Sequence, residues 1–109
     1  MQVFEVKNGE LISELEAQIR EAGIIDAAIV SLIGAADEFT ISTMPAHDAS
    51  TDIVNRYVLP AEMHGCGEVR GGKVHLHATM AVQGDHAVAG HLHAAVIGEW
   101  FGRAYVIPA

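Results

Sequence analysis

The sequence predicts an α+β domain: a mostly antiparallel sheet of six or seven strands with one main helix over residues 10–22. Three observations predict it. Only one segment spaces its apolar residues at helical intervals over three turns. Around it lie alternating or β-branched runs broken by glycine and asparagine. Two of these runs flank Gln83-Gly84-Asp85, which reads as a hairpin turn. The 109 residues hold no Pro- or Ser-rich linker and no repeat, so one domain, 1–109, is expected.

The elements follow in order. Residues 2–6 alternate, with Gln2, Phe4 and Val6 on one side and Val3 and Glu5 on the other, as in a short strand that Asn8-Gly9 ends. From Glu10, the residues Leu11, Ile12, Leu15, Ile19 and Ala22 form one helical stripe. Acids crowd its first half, Arg20 sits near its end as the helix dipole favours, and Gly23 is placed to stop it. Ile24–Ile33 is apolar at both parities, the pattern of a strand covered on both faces, and Gly34 ends it. Phe39–Met44 reads as a strand closed by Pro45. Asp48, Ser50 and Thr51 ahead of Ile53 and Val54 permit a short second helix over 48–57. Glu62–Val69 reads as a strand weakened by Gly65 and Gly67. Val74–Val82 and Ala87–Ala95 form the hairpin, and Val96–Ile107 gives a long last strand bent at Gly98 and Gly102.

Six Lys and Arg face fourteen Asp and Glu, a net charge of −8, which argues against neutralising the phosphates of a nucleic acid. Half of the residues are hydrophobic, more than so small a sphere readily hides, so self-association is expected. Cys66 is the one cysteine and no intrachain disulfide is available. The start of the chain lacks a signal peptide's charged and apolar regions, and no apolar run approaches membrane length. A soluble cytoplasmic protein with no membrane partner is the expectation.

The strongest chemical signal is seven histidines, four of them in His75-Leu76-His77 and His91-Leu92-His93. A strand turns alternate side chains to one face, so each pair projects two imidazoles together. Register decides whether the pairs meet. A three-residue loop at 83–85 sets His77 opposite His91 on one face, whereas a two-residue loop sets His77 opposite Leu92 and separates them. If they meet, His75, His77 and His91 suit zinc or another divalent transition metal, with His93 and His64 as further candidates. The other reading is a set of hydrogen-bonded histidines filling a polar cavity or a subunit contact. Cys66, between two glycines, reads more readily as a turn or small buried residue than as a nucleophile. No Ser-His-Asp spacing, phosphate loop or dinucleotide fingerprint is present. Asp85 and Glu99 are the carboxylates nearest the histidines in sequence and are candidate proton acceptors.

In the order and spacing of its motifs the chain resembles the PPC (plants-and-prokaryotes-conserved) domain, which stands alone in prokaryotes and is joined to AT-hooks in plant nuclear proteins. The resemblance runs from Asn8-Gly9-Glu10-Leu11 through Ala27–Ala35 and Glu62…Gly65…Gly67 to His75-Leu76-His77, then His91-Leu92 after thirteen residues, and Glu99. Ala89-Gly90 stands where the family has Gly-Gly, and His93 is an addition to its pattern. The resemblance implies a homotrimer, with a metal site on His75, His77 and His91 as in some prokaryotic members. Prokaryotic relatives often carry a provisional DNA-binding label, but in the plant proteins DNA is held by the AT-hook, which this sequence lacks. The reading is therefore a homotrimeric binding or regulatory module with a histidine-lined metal or small-ligand site, rather than an enzyme. The alternative is a small zinc-dependent enzyme with a three-histidine site and Glu99 or Asp85 as proton acceptor.

Overall fold

The computed structural model describes residues 1–109. Nine strands and one helix follow in chain order: β1 (Gln2–Val6), β2 (Gly9–Glu10), α1 (Leu11–Glu21), β3 (Ala27–Ala36), β4 (Glu38–Thr43), β5 (Ile53–Tyr57), β6 (Ala61–Arg70), β7 (Lys73–Val82), β8 (His86–Ile97) and β9 (Gly102–Pro108). Every ladder is antiparallel. The sheet order is β1-β9-β3-β6-β7-β8-β4-β5, with β2 added to β8. The expected class holds, with two strands more than the sequence reading gave. One is the two-residue β2. The other is β5, which replaces the short helix expected at 48–57. There the Asp48 carboxylate takes the Ser50 amide at 3.0 Å and the Thr51 hydroxyl at 2.7 Å, closing a turn rather than capping a helix.

The helix forms as its sequence dictates. The Glu10 carboxylate caps it, accepting from the amides of Ile12 and Ser13, both at 2.9 Å. At the other end Gly23 takes φ +75°, its amide bonds to the Arg20 carbonyl and that of Ile24 to the Ile19 carbonyl. This is a Schellman closure, which needs a residue free to adopt positive φ. Leu11, Leu15 and Ile19 are wholly buried against the sheet. At roughly 2 kcal/mol each, they hold the helix down far more than its intrinsic propensity does.

The core continues on the covered face as Ile29, Leu32, Phe39, Leu76, Met80, Leu92, Ile97 and Val106. Alternation sends the other parity outward: His75, His77 and Thr79 from β7, and Glu62, His64 and Cys66 from β6. That face is open. Within the single chain the third segment is covered on one side only, not on both as expected, because Val30 and Ile33 are each 49% exposed. A bulge between Ile29 and Leu32 separates two buried residues by an odd step, so the segment's apolar positions are split between a covered and an open face. Gly65 and Gly67 do not interrupt β6. They sit on its inner parity, where a Cβ would overlap the carbonyl oxygens of His77 and His75, so their absence of a side chain allows the two strands to lie together.

Candidate metal centre

The β7–β8 loop is the three-residue one. Val82 pairs with His86, and Gly84 and Asp85 close the turn at φ +87° and +61°. His77 therefore lies directly opposite His91. His75 projects from the same face two residues earlier. The ring centroids are 5.0 Å apart for His75–His77, 4.8 Å for His75–His91 and 5.9 Å for His77–His91. One nitrogen from each ring lies within 4.8 Å of the other two. Donors on a tetrahedral zinc stand about 3.4 Å apart, so small side-chain rotations close the set. Three imidazoles with no competing cation among them fit a divalent transition ion, and these are the residues that would hold it.

His91 is the half-buried corner, whereas His75 and His77 are exposed. Burial first, then the neighbouring His93, His75 and His77, hold the His91 pKa below its ordinary value, while the charge of Asp52 opposes them. The neutral ring, the form that ligates, is thereby favoured. Across the β6–β7 ladder Glu68 pairs with His75, and its carboxylate reaches the ring Nδ1 at 3.5 Å. An acid hydrogen-bonded to the free ring nitrogen orients a ligating imidazole, and this contact puts Glu68 within reach of that role.

His93 does not join the three. In the β4–β8 ladder Ile41 pairs with Leu92 and Thr40 with Ala94, which leaves His93 as the extra residue of a bulge. Its ring stacks on His91 at 4.4 Å and 14°, and its Nε2 is hydrogen-bonded to the buried Ser42 hydroxyl at 2.7 Å. Glu10 secures the bulge from below: besides capping α1, its carboxylate accepts the Ala95 amide at 3.0 Å.

His64 and Cys66 share the open face but stand one strand away, His64 opposite Thr79 and Cys66 opposite His77. The Cys66 thiol is free and exposed. Asp85 and Glu99 lie elsewhere, lining a cleft with Asp37, Glu62 and Trp100 that contains none of the four clustered histidines. Their nearness in sequence is undone because β7 and β8 carry the turn and the last loop away from positions 75–77. Glu68, Ser42 and Asp52 are the polar neighbours that the sequence reading did not single out. Glu68 had a usable signal, since the Gly71-Gly72 turn fixes its register against His75. Ser42 and Asp52 come from β4 and the segment before β5, and no spacing marks them.

The fold and this site define a small α+β protein that carries a histidine cluster on the uncovered face of its sheet. The chain belongs to the Plants and Prokaryotes Conserved (PCC) domain family, whose model matches residues 1–107. Solved structures share the fold at low identity. A metal-containing protein from Archaeoglobus fulgidus aligns with a TM-score of 0.80 and 23% identity, over 98% of this chain and 76% of that one. A protein from Ralstonia eutropha JMP134, named provisionally for DNA binding, gives 0.81 and 21% over 98% and 76%. A plant- and prokaryote-conserved (PPC) protein from Pyrococcus horikoshii gives 0.73 and 16% over 99% and 79%. No curated protein matches the sequence.

Proposed function

We propose that this protein is a homotrimeric binding or regulatory module that holds a divalent transition ion, zinc foremost, on His75, His77 and His91. The observation that carries the reading is the convergence of those three rings on one face, set by the hairpin register. The Glu68 contact and the neutral bias of His91 support it, as does the metal-containing description of the Archaeoglobus relative. When bound, the ion supplies a Lewis-acidic point for an oxygen or nitrogen of a ligand. The protein's part is to fix three donors, to orient His75 through Glu68 and to wall the site with the His91–His93 stack.

The trimer is supported by the open sheet face, where Val30 and Ile33 border the row of His64, Cys66 and Thr79. Direct DNA contact is not part of the reading. Net charge is −8, and four of the six basic side chains (Lys7, Arg56, Arg70 and Arg103) are already paired with Glu5, Glu38 or Asp26.

Elemental analysis of protein purified without a His-tag tests the metal. The expected result is one ion per chain, retained by wild type and lost by His91→Ala. Wild-type protein that neither carries metal nor takes it up at micromolar concentration would overturn the reading. Light scattering on the same sample tests assembly, and the mass of a single chain would remove the trimer.

A further inference from the structure

A cleft of about 320 Å³ opens beside the histidines, walled by His77 and His91 on one side and by Ser42, Thr43, Met44 and Asp52 on the other. Asp52 carries the only charged carboxylate in that lining. Its position is built, not incidental. The Asp48 carboxylate, bonded to Ser50 and Thr51, folds the preceding residues into a double turn, and the Asp48 amide donates to the Pro45 carbonyl at 3.2 Å. The pairing of Thr43 with Ile53 then anchors β5 one residue later. Asp52 is thus delivered to the mouth of the cleft from both directions. Asp52 and the two histidines thus line one and the same cleft.

A carboxylate only accepts hydrogen bonds, and it repels anions at short range. A ligand entering this cleft meets the histidine centre at one end and an acceptor at the other. We propose that the cleft is the ligand pocket of the centre and that Asp52 sets its selectivity, admitting small neutral molecules that present a lone pair to the ion and an N–H or O–H to the carboxylate, and excluding anions. This rests on the metal reading above, and it names the ligand class of that site.

Three probes separate the parts. The untagged protein is loaded with cobalt(II), and its visible spectrum is followed on titration with imidazole, with 1-methylimidazole and with azide. Imidazole offers both a lone pair and an N–H; 1-methylimidazole lacks the N–H; azide is an anion with no donor. Wild type binds imidazole about ten-fold more tightly than 1-methylimidazole, the loss expected for a missing hydrogen bond to a charged group. Asp52→Ala abolishes that preference. Asp52→Asn and Asp52→Ala both tighten azide binding by about five-fold. The opposite signs are the signature, because a merely looser cleft shifts all three probes together. Cobalt-loaded variants that keep the wild-type ratio of the two imidazoles, or that bind azide no better, overturn the role of Asp52 and leave the metal reading intact. Failure of wild type to take up cobalt overturns both.

Discussion

His91 is the ring whose state governs the cluster. It is paired on both sides, with His77 of β7 and Ser42 of β4, and its pKa is lowered by burial and by three neighbouring imidazoles. A histidine whose folded pKa lies below the ordinary 6.5 binds its proton more readily in the unfolded chain. The stability it contributes is present above that value and is lost as pH falls toward the lowered one. Metal-free protein is therefore less stable at pH 5 than at pH 7, and His91→Gln flattens the dependence. Urea midpoints at the two pH values check this, and equal slopes for both proteins would count against it. Glu68 makes a second residue-level prediction. If Glu68 orients His75 in the proposed centre, Glu68→Gln lowers zinc affinity by about 10- to 100-fold with the fold unchanged, as read by competition with a chromophoric chelator. An unchanged affinity would reduce the 3.5 Å contact to a surface pair.

At the scale of elements, Glu10 does two jobs with one carboxylate: it caps α1 and satisfies the Ala95 amide beside the β8 bulge. Glu10→Ala removes a cap and orphans a part-buried donor, a loss of about 2–3 kcal/mol by chemical denaturation. Loss of less than about 1 kcal/mol would show that water replaces it. Gly67 is the strand counterpart. Gly67→Ala brings a methyl onto the His75 carbonyl, so it destabilises by about 3 kcal/mol and also weakens metal binding. Much at this scale was legible in the sequence. The helix, its Gly23 stop and the His-bearing hairpin each rest on strong local chemistry. What was not legible has a physical cause. β5 is an edge strand paired only with β4 and exposed on nearly every residue, so it shows no hydrophobic period. The turn residues ahead of it are also good helix caps. β2 is two residues long, below any pattern. The meeting of the histidines hung on the length of one loop, and Asp52 comes near them only because β4, which β5 follows, pairs with the distant β8.

The whole molecule spans 37 × 35 × 18 Å. Eighteen ångströms is room for one helix on one sheet, with no third layer. Half of the residues are hydrophobic, and the open face shows the result in Val30 and Ile33. Ile33 pairs with His64, which pairs with Thr79, which pairs with Ala89, a row of modest side chains beside the histidines. In the proposed trimer a neighbouring copy seated there would cover what the lone chain leaves bare. Ile33→Glu with Val30→Glu is expected to yield the mass of one chain by light scattering, with the far-ultraviolet dichroism of wild type. Retention of the larger mass would move the contact to another surface. The histidine strand has a further consequence. β8 is hydrogen-bonded along β7 and then β2 on one edge and along β4 on the other, while Asp52 sits just outside the peripheral β5. In hydrogen–deuterium exchange the amides around position 91 will be among the last to label, and those of 53–57 among the first. One wall of the cup is thereby cast in place and the other merely hung beside it. On the proposed reading, sequence drift in the Pro45–Thr51 turn would retune what the cup accepts without disturbing the grip beneath.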